Sequence, residues 1–274
     1  AISQLILRNV PIGNLTLKAE NPTVDKFKMA MNLTGNDNNM SANGYFIPNG
    51  GNNSIKINTD IKSLSMKTVE AFSMGQITQA SGNISGNLNI TGNTDAPEIN
   101  GEMVFNNAFL NPGYLNNRIE LQHETIQLKS DGFYFKSFTL LDEKKNKASI
   151  DGSIQMKQFT DYRFNLQVNS KNFLLFNTTA ANNRDFYGRM IIDSKVRMTG
   201  PMSLPVINAN VKMKEGSNFT FIVPEDEYTT NKGENVIVFN DSIRFHPLFN
   251  SQNINLSKNS VYKGFDLTSI IEVD

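Results

Sequence analysis

The sequence predicts an elongated all-β protein, an antiparallel sheet with one long apolar face and one or two short helices. Three observations lead to this fold class: apolar and polar residues alternate along many segments, helical periodicity is scarce, and one pattern recurs about 108 positions later. Alternation with period two is typical of a strand that is buried on one face and solvated on the other.

The alternating segments predict a continuous apolar strip along one face of the sheet. The stretch from Phe27 to Leu33 shows the pattern, because Lys28 and Asn32 lie between its apolar residues. Consecutive strands of this kind place their apolar residues side by side. The residues predicted to line the strip are Phe27, Met29, Met31, Leu33, Ile55, Ile57, Ile84, Leu88, Ile90, Met103, Phe105, Ile150, Ile154, Met156, Phe164, Leu166, Val168, Ile192, Val196, Met198, Val211 and Met213.

Helical signals are restricted to two places. The better candidate runs from Ser65 to Met74 and carries Met66, Val69 and Phe72 on one side. A shorter turn is predicted at Asn172 to Phe176. A sheet with one apolar face and so few helices must cover that face by curling on itself or by packing on another sheet.

Glycine after Asn, Asp or Pro predicts most of the turns between the strands. The candidate turns are Asn43-Gly44, Asn49-Gly50-Gly51, Asn100-Gly101, Pro112-Gly113 and Asp131-Gly132, and the sequence leaves open that some of these pairs lie within strands. Asp151-Gly152 falls inside an otherwise regular alternation, so Gly152 indicates either a bulge or a close approach of the backbone.

An internal repeat organises the chain. Gly92 and Gly200 lie 108 positions apart, each five residues before a proline, and Gly44 and Gly152 have the same separation. We therefore expect one continuous repetitive domain, 1–274, with approximate units 1–80, 81–188 and 189–274.

The composition excludes several classes of function. Lys plus Arg and Asp plus Glu both total 26, and this zero net charge argues against a nucleic-acid partner. The chain has no cysteine, and its two histidines are too few for most zinc sites. It contains no apolar run of membrane-spanning length and no phosphate loop, nucleophile elbow or HExxH motif. We expect no enzyme activity, no catalytic residue, no metal and no cofactor.

The remaining polar clusters favour structural roles. Asp142-Glu143 is followed by two lysines and is predicted to form an exposed hairpin tip, whereas Glu225-Asp226-Glu227 is predicted to lie in a solvated loop. A calcium site or a catalytic pair of carboxylates is the less favoured interpretation. His123 and His246 have no constellation of ligands around them in the sequence.

The segment Ser81 to Gly101 carries a resemblance to a known family. Its order of Gly-x-x-x-Gly-x-Leu-x-Ile-x-Gly, a spacer, Pro, an apolar residue and Gly resembles the repeat of the AsmA and TamB superfamily. Val196 to Ala209 fits the pattern more loosely, and Ala209 replaces its last glycine. Phe133 to Gly152 and Ile12 to Lys18 also resemble the family, the latter in the style of TamB proteins of Bacteroidetes.

The resemblance implies a β-taco fold, a U-shaped sheet whose apolar interior carries phospholipid acyl chains between two bacterial membranes. It also implies a periplasmic location, an inner-membrane anchor N-terminal to this C-terminal-proximal fragment, and an outer-membrane barrel partner of the TamA type.

Three functions remain open from the sequence. The first is lipid transfer through the groove. The second is a scaffold or chaperone that helps outer-membrane β-barrel proteins to assemble through exposed strand edges. The third is an adhesin or structural solenoid in which the apolar face is a sealed core.

Overall fold

The fold is a single large sheet that curves without closing, seen in a computed structural model that describes residues 1–23, 25–51, 53–158, 161–222 and 266–273. The strands are β1 Ile2–Leu7, β2 Val10–Thr23, β3 Lys26–Gly35, β4 Asn38–Ile47, β5 Ser54–Ser65, β6 Ile77–Asn93, β7 Ala96–Pro112, β8 Ile119–Lys129, β9 Gly132–Leu141, β10 Lys147–Gln158, β11 Asp161–Thr178, β12 Phe186–Pro201, β13 Val206–Met213, β14 Asn218–Phe221 and β15 Asp266–Val273. One helix, α1 Met66–Phe72, lies between β5 and β6. The predicted all-β class is confirmed.

The strand order is almost entirely sequential. Strands β1 to β13 pair antiparallel with their neighbours along the chain, and β14 pairs with β12. The exception is β15, which pairs in parallel with β13. Of the C-terminal stretch 250–274, residues 266–273 therefore belong to the sheet.

Sequential pairing puts the hairpin turns alternately on the two long margins of the sheet. One margin carries Asp25, Thr94-Asp95, Ser130-Asp131 and the turn 202–205. We call it the open rim. The other margin carries α1 and the loops 113–118, 142–146 and 179–185, and we call it the closed rim.

Helix α1 confirms the one strong helical prediction, although its packing differs in part. Met66 and Ala71 are buried, but Phe72 is 62% exposed and does not share their contacts. The buried amide of Asn38 holds the start of the helix: its Nδ2 donates to Oγ1 of Thr68 over 2.8 Å, and its Oδ1 accepts from the backbone N–H of Ser65 over 2.8 Å. This anchoring fixes α1 against the first strands of the sheet.

Two of the candidate turns are wrong. Asn43-Gly44 lies inside β4 and Asn100-Gly101 lies inside β7. A Cβ on Gly44 would lie 2.0 Å from the carbonyl oxygen of Lys56, and one on Gly101 would lie 1.9 Å from that of Asn87. Glycine is required at these positions because the neighbouring strand approaches too closely for a side chain.

Gly152 marks a close approach of the backbone, and the bulge beside it lies in the neighbouring strand β9, at Ser137. A Cβ there would lie 2.0 Å from the carbonyl oxygen of Asn165, and the β9–β10 register shifts between Ile150 and Gly152. Gly44, 108 positions earlier, meets a neighbouring carbonyl at the same distance. The repeat pattern thus coincides with repeated close contact between strands. The boundaries of the units remain a prediction.

The predicted turn at Asn172 to Phe176 is also wrong, because β11 continues to Thr178. Asn172 instead has a φ of 49°, and the β11–β12 register shifts between Ser170 and Phe173. This is a β-bulge, which bends the strand and interrupts the alternation of its side chains.

Candidate functional site

The two faces of the sheet differ sharply in polarity. We call the face that carries α1 and the buried clusters the inner face, and the opposite one the outer face. On the outer face, an in-register row of β2 to β12 is polar on every strand. Its members are Thr16, Asn32, Ser41, Asp60, Asn87, Glu102, Gln127, Tyr134, Ser153, Asn165 and Thr199. This face is suited to water.

The neighbouring row on the inner face is apolar or glycine on every strand from β2 to β13, and we call it the central row. Each member lies opposite the next across a strand pair. The row consists of Leu15, Leu33, Met40, Ile61, Gly86, Met103, Ile126, Phe135, Gly152, Leu166, Met198 and Ile207. Strands lie about 4.8 Å apart, so twelve strands carry the row over roughly 50 Å.

The 22 residues predicted to line the strip all lie on strands, with their side chains on the inner face. Leu33, Ile84 and Ile192 are buried, and the other members are half-buried. Whether these side chains contact lipid remains a prediction. The sequence reasoning missed Leu15, Met40, Ile61, Ile126, Phe135 and Ile207 on the central row, although the alternation Ile126-Gln127-Leu128 signals part of it.

Burial divides the inner face into two halves. The buried hydrophobic residues of the described chain lie on the central row or on its closed-rim side, with the exception of Leu128. The closed-rim half contains a cluster of Met66, Ala80, Ile84, Ala108, Ile119, Leu121 and Phe138. On the open-rim half, residues such as Leu88, Ile154 and Phe164 are only half-buried. The inner face is therefore packed along the closed rim and more accessible along the open rim.

Helix α1 covers the first part of the closed rim. It contacts β2, β5, β6 and β7, which lie across five strand spacings of the sheet. The carboxylate of Glu70 accepts the backbone N–H of Ala80 over 2.8 Å, and it also accepts that of Gln79, which has a φ of 52°. The helix thus satisfies the backbone donors that a bulge in β6 releases.

The loop 113–118 covers the second part of the closed rim. The Nδ2 of Asn116 donates to the carbonyl of Asn177 over 2.7 Å, and the Nδ2 of buried Asn117 donates to the carbonyl of Leu174. Three strand spacings separate β8 from β11, about 14 Å in a flat sheet. The loop between β7 and β8 therefore reaches across the closed rim to β11.

Tyr114 joins the same cover to the loop 179–185. Its hydroxyl donates to Oδ2 of Asp185 over 2.8 Å, and its ring packs edge to face on Phe186 at 5.1 Å between centroids. Burial, together with the hydrogen bond to Asp185, raises the pKa of Tyr114 to about 12. This is a structural contact, and no reacting group lies beside it in the described chain.

Two carboxylates at the closed rim accept hydrogen bonds, one from backbone N–H groups and the other from a lysine. Asp142 was predicted at an exposed tip but is 2% exposed, because its carboxylate accepts the backbone N–H groups of Lys144, Asn146 and Leu174. Lys145 donates to Glu120, and this hydrogen bond holds the pKa of Glu120 below its usual range.

The part of the chain that the structure describes contains neither a metal site nor a membrane-spanning helix. Within the described ranges, no three His, Cys, Asp or Glu side chains come together in a way that could bind a metal ion. None of the helical residues described there forms a segment long and apolar enough to cross a bilayer. Glu225-Asp226-Glu227 and His246 lie outside the described residues.

A curved antiparallel sheet that does not close and carries a continuous apolar inner face defines an all-β protein built on one large open sheet. The family model named TamB C-terminal domain matches residues 136–274, and the chain belongs to this TamB-like family. Searches of curated proteins and of solved structures gave no match. The family is envelope-associated, is linked to outer-membrane protein assembly or lipid transport, and is not known to be enzymatic.

Proposed function

We propose that the groove holds phospholipid acyl chains and conducts them between the inner and outer membranes. The observation that carries this proposal is the central row, which is apolar or glycine on twelve consecutive strands while most of its members are only half-buried. A sealed core would bury such a row, whereas a groove that receives acyl chains keeps it accessible.

The proposed mechanism needs no catalytic group. Acyl chains would lie on the inner face and be held by the hydrophobic effect, at about 25 cal/mol for each Å² of apolar surface removed from water. The head groups would remain in water at the open rim, since the closed rim is filled by α1 and the loop 113–118. Met29, Met103 and Met198 have flexible thioethers that adapt to chains of different shape.

In the cell, we place this chain in the periplasm as part of a longer protein anchored in the inner membrane. A TamA-type barrel in the outer membrane would be the partner. Family membership and the envelope association of that family support both proposals. We assign no enzymatic reaction to the protein.

Charge placed on the inner face tests lipid conduction. Leu88→Asp and Leu166→Asp put a carboxylate on half-buried groove positions, whereas Asn87→Asp and Asn165→Asp put the same charge on the adjacent outer-face positions. We expect the two groove variants to slow phospholipid transfer between donor and acceptor vesicles at least tenfold. The two outer-face variants should transfer normally, because their charge stays in water.

The unfolding midpoint of each variant shows whether the fold survives the added charge. Normal transfer by well-folded Leu88→Asp and Leu166→Asp proteins would contradict lipid conduction. In that case the assembly of outer-membrane β-barrel proteins, the other function linked to the family, becomes the leading candidate.

A further inference from the structure

The hairpin turns that follow β6 and β12 occupy equivalent places in the sheet. The backbone N–H of Thr94 donates to the carbonyl of Asn53 over 2.9 Å, and that of Met202 donates to the carbonyl of Tyr162 over 2.8 Å. Thr94 and Met202 are 108 positions apart, as are Gly92 and Gly200, which have φ angles of 97° and 92°. One turn can therefore serve as an internal reference for the other.

The two tips differ in polarity. The first tip carries Thr94, Asp95 and Ala96, a composition that is ordinary for a turn in water. In the second tip Met202 occupies the place of Thr94 and Leu204 that of Ala96. These two side chains are 36% and 43% exposed, although neither is needed to close the turn, which is held by the N–H of Leu204 donating to the carbonyl of Pro201 over 3.0 Å.

A cation accompanies the apolar tip. Arg163 lies directly opposite Pro201 in the β11–β12 pair, and Ser54 lies in the equivalent place, opposite Asn93. Arg163 is exposed and forms no ion pair with any residue that the structure describes, including Asp161 two positions away. The second hairpin thus gains two aliphatic side chains and a guanidinium relative to the first.

We propose that the β12–β13 hairpin tip docks on the surface of a lipid bilayer that contains anionic phospholipids. Aliphatic side chains at a hairpin tip enter the acyl region, and a guanidinium beside them binds lipid phosphate. Because the tip lies on the open rim, docking brings the accessible side of the groove against the membrane. The inference does not require that the groove conducts lipid.

Replacing the two aliphatic residues of the second tip by their counterparts in the first tip tests how much they contribute to membrane binding. The double variant Met202→Thr/Leu204→Ala should bind vesicles of phosphatidylcholine and phosphatidylglycerol in equal parts about tenfold more weakly than the unaltered chain in a flotation assay, because it loses most of the aliphatic surface. The variant Arg163→Ser should bind these vesicles more weakly but bind pure phosphatidylcholine vesicles unchanged. Unchanged binding of both variants to both kinds of vesicle would overturn the proposal.

A fluorescent probe at the tip gives a second readout that does not depend on affinity. The chain has no cysteine, so Ser203→Cys and Asp95→Cys each offer one labelling site at equivalent places. An environment-sensitive dye at position 203 should shift to the blue on adding the mixed vesicles, and the dye at 95 should not. A dye at 203 that stays in water, or equal shifts at both tips, would refute docking through this hairpin.

One variant distinguishes membrane docking by the tip from lipid conduction by the groove. Leu88→Asp lies on the inner face of β6, six strands from the β12–β13 tip, so it should bind vesicles normally even where lipid transfer is lost. Conversely, weaker binding of this variant would show that the groove, and not the tip, holds the membrane.

Discussion

The backbone N–H of Asn172 donates to Oδ1 of Asp193 over 2.6 Å, across the β11–β12 pair. Asn172 has a φ of 49° and lies at a bulge that takes its N–H out of the strand ladder. The same arrangement occurs at Ser137, also with a φ of 49°, whose N–H donates to Oδ1 of Asp151 over 2.7 Å. Carboxylates on neighbouring strands therefore stabilise the bulges that bend the sheet at the closed rim.

Removing one of these carboxylates should loosen the closed rim. We expect Asp193→Ala to lower the free energy of unfolding by about 1 kcal/mol, because a charge-assisted hydrogen bond at a partly exposed site is lost. Asp193→Asn keeps an acceptor oxygen and should lose less. Denaturant titration measures both changes, and equal losses in the two variants would mean that Asp193 acts through something other than its acceptor.

The close approach of β11 to Gly152 predicts that a side chain at this position strongly destabilises the fold. An alanine there would bring its Cβ within 2.0 Å of the Asn165 carbonyl at a φ of +116°. We expect Gly152→Ala to lower the free energy of unfolding by about 3 kcal/mol, the sum of backbone strain and overpacking. Gly51→Ala is the matched control, since its φ is +102° but no atom lies within 4 Å of its Cβ.

Gly51→Ala should cost only about 1 kcal/mol, from backbone strain alone. Thermal melts of the two variants separate the contributions. If both variants melt together, the contact with the Asn165 carbonyl is relieved by a shift of β11, and the glycines of the inner face do not limit how closely the strands approach.

The alternation of apolar and polar residues predicted the fold class because polar side chains lie on the face of each strand that is exposed to water. It predicted the inner-face positions from Phe27 to Leu33 and from Phe164 to Val168 for the same reason. It failed at Gly44 and Gly101, because Asn-Gly is the usual turn dipeptide and the sequence does not reveal the carbonyl of a neighbouring strand.

The closed rim could not be predicted, because its bulges break the period of two. Phe173 and Leu174 are adjacent in sequence and both buried. A regular strand would expose one of them, but the bulge at Asn172 and the contacts of Asp142 and Asn117 with Leu174 cover both. These contacts join residues 32 and 57 positions apart, and no local pattern indicates them.

The Tyr114–Asp185 contact predicts how stability depends on pH in the alkaline range. The pKa of Tyr114 is raised from 10.0 to about 12, so the folded state favours the protonated phenol. The stabilisation should be complete below pH 10 and should be lost as the pH rises from 10 towards 12. Tyr114→Phe should lack this component of the alkaline loss.

Ultraviolet difference titration of phenolate measures the shift directly. Of the seven tyrosines, the one that is absent in Tyr114→Phe should ionise near pH 12 in the unaltered protein. Ionisation of that tyrosine near pH 10 would show that the loop 113–118 does not hold Tyr114 against Asp185 in solution.

Photocrosslinking from the two faces of β11 tests the central claim, that the groove receives lipid. A photoreactive residue at Leu166 projects from the inner face, and one at Asn165 projects from the outer face of the same strand. After irradiation in cells, we expect mass spectrometry to find phospholipid adducts at 166 and none at 165. Adducts of outer-membrane protein strands at 166, or no lipid adduct there, would contradict this claim.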